Sequence, residues 1–416
     1  MDRIKIQGGA PLRGEVPISG AKNAALPLMA ACLLTEEKCR LENLPVLRDV
    51  ESFLFLLEGL GVRVGSCGSG AEIQAAELRN VRAPYDLVRK MRASVMVLGP
   101  LVARMGRAEV SLPGGCAIGV RPIDQHLKGL AALGVEICLR GGYIHARAGR
   151  LKGADIFLGL VTVTGTKNLM IAAALAEGRT RIHNAAREPE VVQLADALIA
   201  MGVEVRGAGT DTLEIVGVRR LGGFEARIIP DRIETGTYML AGAATGGEVC
   251  VTGVVPEHVG ALSRKLVAAG VSVCEEGDRI RVKGDRPANG VDVETAPYPG
   301  FATDLQAQMM AMLCLARGNS LVTETIFENR FLHVAELRRM GAEIRVDGNR
   351  AWVRGVERLW GAEVMATDLR ASASLILAGL AAEGETTVNR VYHIDRGYER
   401  VEEKLSALGA RIQRVR

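Results

Sequence analysis

One phrase recurs six times along the chain: an amphipathic helical pattern that runs into glycine and is followed by a β-prone segment. It stands as Leu60-Gly61-Val62, Leu133-Gly134-Val135, Met201-Gly202-Val203, Ala269-Gly270-Val271, Met340-Gly341-Ala342 and Leu408-Gly409-Ala410. Successive glycines are 73, 68, 68, 71 and 68 residues apart. A fixed period of this kind marks a supersecondary unit that buries its apolar face only against its neighbours. Each glycine falls where a helix end calls for a left-handed residue, and the run after it predicts a returning strand.

A second helix lies upstream in every unit, opened by Ala21-Lys22-Asn23, Met91-Arg92-Ala93, Gly165-Thr166-Lys167, Ile233-Glu234-Thr235, Thr303-Asp304-Leu305 and Leu369-Arg370-Ala371. These segments are rich in Ala, Leu and Met all round, which predicts burial rather than a solvated face. Some openings nearly copy one another, as Ala302-Thr303-Asp304-Leu305 and Ala366-Thr367-Asp368-Leu369 do. The 416 residues exceed one domain of about 100–200 residues. Six units divide into two domains of three, residues 22–229 and residues 1–21 plus 230–416. The break falls near Phe224–Arg232, where Ile229-Pro230-Asp231 interrupts the pattern. Met1–Ile6 reads as a strand, and the first twenty residues are expected to add one strand to the C-terminal domain.

Composition narrows the function classes. Apolar residues are 48% and charged residues 24%, a globular balance, while aromatics at 4% require an aliphatic core. A net charge of +4 is too small to mark a nucleic-acid binder, although it suits an anionic small molecule bound locally. No run reaches the roughly 18 apolar residues of a membrane span, and the N-terminus has no signal-peptide pattern. The eight cysteines form no CxxC pair and no Cys/His cluster at zinc spacing. A cytoplasmic protein without a structural metal is expected, with Cys32, Cys138, Cys250, Cys274 and Cys314 as buried, inert thiols.

Several helix openings carry a cation, Lys22, Arg92, Lys167 and Arg370, where the helix dipole is already positive. A purely structural sequence favours Asp, Ser or Thr there. Either carboxylates pair with these cations, or an anionic ligand sits among them. The expected location for such a ligand is a cleft between the two domains.

The segment Ser111–Asp124 holds three glycines and two prolines in fourteen residues and reads as a loop long enough to close as a lid. Cys116 stands in it beside Gly114-Gly115, five residues before Arg121, with no hydrophobic element to bury it. A thiol near a cation has a lowered pKa and can serve as acid or nucleophile.

Gly20-Ala21-Lys22-Asn23-Ala24-Ala25-Leu26-Pro27, Pro113-Gly114-Gly115-Cys116-Ala117-Ile118-Gly119 with Arg121-Pro122, Ala185-Ala186-Arg187-Glu188-Pro189-Glu190, Gly300-Phe301-Ala302-Thr303-Asp304-Leu305-Gln306 and Asp395-Arg396-Gly397-Tyr398-Glu399-Arg400 together resemble the UDP-N-acetylglucosamine enolpyruvyl transferase family, of the EPSP synthase superfamily. The resemblance runs in order along the whole chain. It implies an α/β fold, the two-domain inside-out α/β barrel of enolpyruvyl transferases, with three βαβαββ units per domain and the active site in the interdomain cleft. It also implies transfer of the enolpyruvyl group of phosphoenolpyruvate to the 3′-hydroxyl of UDP-N-acetylglucosamine, the first committed step of peptidoglycan synthesis, and susceptibility to fosfomycin.

By the same resemblance, Cys116 matches the general acid, which also forms a covalent adduct with phosphoenolpyruvate, and Asp304 matches the base. Asp304 fits an N-cap equally well, as its twin Asp368 does. Lys22, Arg121 and Arg396 match phosphate ligands, Arg330 and Arg370 match residues near the donor's carboxylate, and Asn23 matches a contact to the tetrahedral centre; Lys22 also counts among the catalytic residues. For the nucleotide sugar, the matching positions are Arg92, Arg121, Pro122, Ile123, Asp124, Gln125, Thr162, Val163, Thr164, Gly165, Asp304 and Ile326. The family commonly has a lysine just before the 162–165 turn, where this chain has Leu160-Val161. The expected partners are the two small-molecule substrates, without cofactor, metal, nucleic acid or membrane; the oligomeric state stays open, and a monomer suffices.

Three rival readings share the repeat. A shikimate-pathway enolpyruvyl transferase has the same fold but lacks the Pro-Gly-Gly-Cys loop. An RNA phosphate cyclase needs a nucleophilic histidine, and the six histidines stand in no such motif. A six-unit ring around DNA needs basic helices lining its hole, and the recurrent helices alternate no cationic face.

Overall fold

The computed structural model describes residues 2–88, 91–112, 123–284 and 287–415, with Arg92 described for its backbone alone. The chain forms two compact units. Among the described residues, one unit takes those of Gly20–Gly115 and Arg121–Ile229, and the other those of Met1–Ser19 and Pro230–Arg416.

Among the described residues, six four-stranded sheets, three in each unit, share one plan. Asp155–Phe157 pairs parallel with Arg179–His183 (Ile156 opposite Ile182), which pairs antiparallel with Thr212–Val216 (Ile182 opposite Leu213). The hairpin partner Glu204–Arg206 takes the far edge. Alternation along these strands buries Thr180, Ile182, Leu213 and Ile215 and leaves their neighbours more exposed, so each sheet covers helices with one face. All six recurrent glycines have φ between 83° and 103°. This is the left-handed conformation that lets each helix end at once and release its returning strand.

Three sheets are completed by distant chain. In the first unit, Glu225–Arg227 adds to Lys38–Glu42, closing the third repeat onto the first. In the second, Arg3–Gln7 lies between Glu385–Asn389 and Arg411–Val415, while Arg13–Pro17 pairs with Glu248–Thr252. The first twenty residues thus contribute two strands to two sheets, where the sequence suggested one. The second strand, Arg-Gly-Glu-Val-Pro, has one inward apolar residue, Val16, and so no periodic signal.

Among the described residues each unit holds three buried helices: Lys22–Ala31, Leu98–Met105 and Val163–Ala173 in one, and Arg232–Ala244, Gln306–Leu313 and Leu369–Ala381 in the other. Small residues let them approach. A Cβ on Gly99 would lie 2.2 Å from Asn168 Oδ1, and that oxygen instead accepts the Gly99 N–H at 2.8 Å. Two separate aliphatic cores result, one per unit. No helix among the described residues is long and apolar enough to cross a membrane.

Two expectations need correction. Cys138 and Cys274 are exposed, because both sit on half-solvated hairpin strands, Glu136–Arg140 and Ser272–Glu276. Lys167 does not open a helix. Thr162 caps Val163–Ala173, so Lys167 lies in the second turn, buried, with Nζ donating to the Asn23 carbonyl at 2.9 Å.

Candidate active site

The candidate residues fall into two groups, one on each unit. In the second unit the short turn Thr303–Leu305 precedes the helix Gln306–Leu313. Asp304 does not repeat the role of its twin. Asp368 caps Leu369–Ala381, accepting from the N–H groups of Arg370 at 2.9 Å and Ala371 at 3.1 Å. The Asp304 carboxylate instead meets two guanidiniums: Arg330 Nη2 at 2.6 Å from Oδ1 and Arg370 Nη2 at 2.8 Å from Oδ2. The identical turn sequences diverge in what they hold: the Asp304 carboxylate meets two buried guanidiniums, while the Asp368 carboxylate meets backbone N–H groups.

Both arginines are almost wholly buried, at 4% and 5% exposure. Burial works against the charge on Arg370, but Asp304 more than offsets it and holds the guanidinium above the ordinary arginine range. Two cations face one carboxylate, so these three groups keep a surplus positive charge. Arg330 Nε is buried with no hydrogen-bond partner among the described residues. Guanidinium groups are suited to bidentate pairing with a carboxylate or a phosphate.

Glu324, which the sequence reading missed, organises the same turn. Its carboxylate accepts from Thr303 Oγ1 at 2.9 Å, Thr295 Oγ1 at 3.0 Å and the N–H of Ile326 at 2.8 Å. Ile326 is thereby fixed beside the Asp304 turn with its side chain 36% exposed. Arg396 ends the short helix Val391–Arg396 and is half-buried. The neighbouring Asp395 is gripped by Arg414 through bonds of 2.7 and 3.1 Å.

In the first unit Lys22 begins its helix and pairs with the buried Asp49 at 3.3 Å. The carboxylate pairing weighed for such cations is therefore present at both Lys22 and Arg370. Asn23 follows directly, its carbonyl held by Lys167. Two helix starts are joined close by. His126, in Asp124–Ala132, contacts Thr164 Oγ1 through Nε2 at 3.2 Å and Asn168 Nδ2 through Nδ1 at 3.0 Å. Since Asn168 Nδ2 is a donor, Nδ1 is bare and Nε2 carries the proton. Burial depresses the His126 pKa to about 4, so the ring is neutral.

Gln125 accepts the Gly159 N–H at 2.8 Å, and Asp124 opens its helix with a pKa pulled low by Gln125 and Lys128 against the opposing effect of burial. Ile123, Asp124, Gln125, Thr162, Val163, Thr164 and Gly165 are thus gathered at two tied helix starts. Leu160 is 67% exposed at the bend before them, so that position offers no cation. Cys116, Arg121 and Pro122, and the side chain of Arg92, lie outside the described residues. Among the described residues no group of three His, Cys, Asp or Glu side chains suits a metal.

The sequence model of the EPSP synthase (3-phosphoshikimate 1-carboxyvinyltransferase) family matches residues 6–405. Two relatives named UDP-N-acetylglucosamine 1-carboxyvinyltransferase, from Magnetococcus marinus and Desulfatibacillum aliphaticivorans, are each 58% identical with full coverage of both chains. Among solved structures, the enolpyruvyl transferase NikO from Streptomyces tendae superposes with a TM-score of 0.90 at 26% identity, covering 100% of this chain and 99% of its own. The EPSP synthase of Acinetobacter baumannii shares the fold, with a TM-score of 0.78 at 18% identity over the full length of both. Six repeats of one unit, an arginine-bound aspartate and likeness over the whole length converge: the chain belongs to the EPSP synthase family and, within it, to the UDP-N-acetylglucosamine 1-carboxyvinyltransferases.

Proposed function

We propose that this protein transfers the enolpyruvyl group of phosphoenolpyruvate to the 3′-hydroxyl of UDP-N-acetylglucosamine and releases phosphate. The observation that carries the reading is 58% identity, end to end, with relatives of that name. The geometry supports it: a surplus of buried guanidinium at Arg330 and Arg370 suits the donor's carboxylate. Lys22, Arg121 and Arg396 take the phosphate, and Asn23 contacts the tetrahedral carbon. The nucleotide sugar is held by Arg92, the run Arg121–Gln125, Thr162–Gly165 and Ile326, with its diphosphate lacking a lysine at Leu160.

The chemistry is addition and then elimination. Cys116 gives its proton to the methylene carbon, the central carbon becomes electrophilic, and the sugar oxygen bonds to it while its proton passes to Asp304. The Cys116 thiolate then takes a proton back from the new methyl group as the C–O bond to phosphate breaks, phosphate leaves, and the carbon–carbon double bond re-forms as the product's enol ether. Asp304 meets this task only when its two arginines are shared with the donor's carboxylate, because two cations against a carboxylate weaken it as a base. The product serves peptidoglycan synthesis in the cytoplasm.

Phosphate release from phosphoenolpyruvate, measured alone, with UDP-N-acetylglucosamine and with shikimate 3-phosphate, tests the reading. Release that requires the nucleotide sugar is expected. Release that requires shikimate 3-phosphate assigns the other branch of the family.

A further inference from the structure

Beneath the Asp304–Arg370 pair lies a buried hydrogen-bonded hub that the reaction as written leaves unused. Tyr398 is 2% exposed. Its phenolic oxygen lies 2.8 Å from Thr237 Oγ1, 3.1 Å from Gln308 Nε2 and 3.3 Å from Arg370 Nη1. The hub joins all three central helices of this unit, since Thr237, Gln308 and Arg370 each come from a different one.

The proton positions follow from counting. Thr237 Oγ1 donates its one hydrogen to the Ile233 carbonyl at 2.8 Å. It therefore accepts from Tyr398, whose hydrogen is spent there. Both lone pairs of the phenol then face the N–H groups of Gln308 and Arg370. Gln308 Nε2 also donates to the Asp304 carbonyl at 2.9 Å and lies 3.2 Å from Thr237 Oγ1, so its two hydrogens are shared among three acceptors. Its amide orientation is fixed, because the reverse would set two oxygens against each other. Burial keeps the phenol protonated, with its pKa above the ordinary tyrosine value.

We propose that Tyr398 is a positioning residue for the transfer reaction: its phenolic oxygen sets the rotation of the Arg370 guanidinium, and so the angle at which Arg370 meets Asp304 and the donor's carboxylate. Arg370 holds two fixed acceptors, the phenol on Nη1 and Asp304 on Nη2. Two contacts on different nitrogens define the plane of a guanidinium, where one leaves it free to turn. Gln308 completes the device, linking the same phenol to the backbone of Asp304. The inference rests on the proposed function for its substrate and on the hub alone for its geometry.

Tyr398→Phe removes the oxygen and keeps the ring, which also lies under the guanidinium with Cζ 5.7 Å from its centroid. The Michaelis constant for phosphoenolpyruvate is expected to rise about ten-fold, with that for UDP-N-acetylglucosamine within about two-fold. Thr237→Val cuts another arm of the hub that has no bond to Arg370, and should lower stability while leaving the donor constant within about two-fold. In an Arg370→Met background, Tyr398→Phe should add no further change. An unchanged donor constant in Tyr398→Phe, or an equal rise in Thr237→Val, overturns the inference. Nitrogen NMR of the Arg370 guanidinium decides it independently of substrate: faster exchange of the two Nη signals in Tyr398→Phe supports the inference, and unchanged exchange refutes it. A parent protein that releases no phosphate with either acceptor counts against the proposed function, and the NMR result still stands.

Discussion

Arg370 reaches Asp304 at 2.8 Å across 66 positions of sequence, and the two residues come from turns that are near copies of each other. In one copy the aspartate caps its helix. In the other it neutralises a buried arginine supplied by the first.

Asp304→Asn is therefore expected to do more than remove a base. Turnover should nearly vanish while nucleotide-sugar affinity stays within a few fold, and the fold itself should weaken. Breaking a buried pair costs about 3–5 kcal/mol. The Asp304 side chain is 28% exposed, so a loss of about 2 kcal/mol in denaturant unfolding is expected. An asparagine variant as stable and active as the parent removes Asp304 from both roles.

Lys22→Ala should weaken capture of phosphoenolpyruvate by at least about ten-fold and leave the protein folded. It removes one cation, 3.3 Å away, from the buried carboxylate of Asp49. Asp49→Asn in the same chain should recover part of the lost stability without restoring donor affinity. Calorimetry with the donor, together with thermal unfolding of the single and double variants, checks both expectations.

Acid should destabilise the protein through two histidines. Burial holds His126 and His333 at about 4, against an ordinary value near 6.5. A histidine kept neutral in the fold contributes its full share above the unfolded value, and that share is lost as pH falls from about 6.5 toward 4. Each accounts for about 3 kcal/mol over that window, at 1.36 kcal/mol per unit. Unfolding free energies measured from pH 7 to pH 4 should fall with a slope approaching two protons, and His126→Gln should remove one of them.

Cysteine labelling should separate exposure from reactivity. A simple alkylating agent should reach Cys138, which is exposed. It should modify Cys274 more slowly, because a hydrogen bond to Glu276 and the nearby charge push that thiol up. A phosphonate epoxide resembling phosphoenolpyruvate should instead mark Cys116 alone. Cys116→Asp keeps an acid of similar reach, so it should retain some turnover and escape the epoxide, while Cys116→Ser should lose both turnover and labelling. Mass mapping of labelled peptides checks the pattern, and epoxide spread over several cysteines would refute the assignment.

The sequence by itself determined the repeat and hence the architecture. A left-handed helix end is a local demand that glycine meets with its own backbone, so Gly61, Gly134, Gly202, Gly270, Gly341 and Gly409 announced six units before any contact was known. Burial of the Ala-, Leu- and Met-rich helices was equally local, because a helix apolar on every side has no face to give to water. The strands at Arg13–Pro17 and Glu225–Arg227 were not legible. They are edge strands with little inward apolar surface, recruited by partners more than 180 residues away.

Tertiary structure alone decided what the polar groups do. The near-identical openings Thr303-Asp304 and Thr367-Asp368 carry the same local propensity. Only the packing of Arg330 and Arg370 against the first makes it a bound carboxylate rather than a cap. Likewise Lys167 echoes Lys22 in sequence, yet a helix that starts at Val163 places it in a second turn, where it holds a carbonyl. Apolar periodicity is written along the chain because burial acts on every residue of a face. A hydrogen bond or ion pair depends on one partner at one distance, and that partner is fixed only when the whole unit has folded.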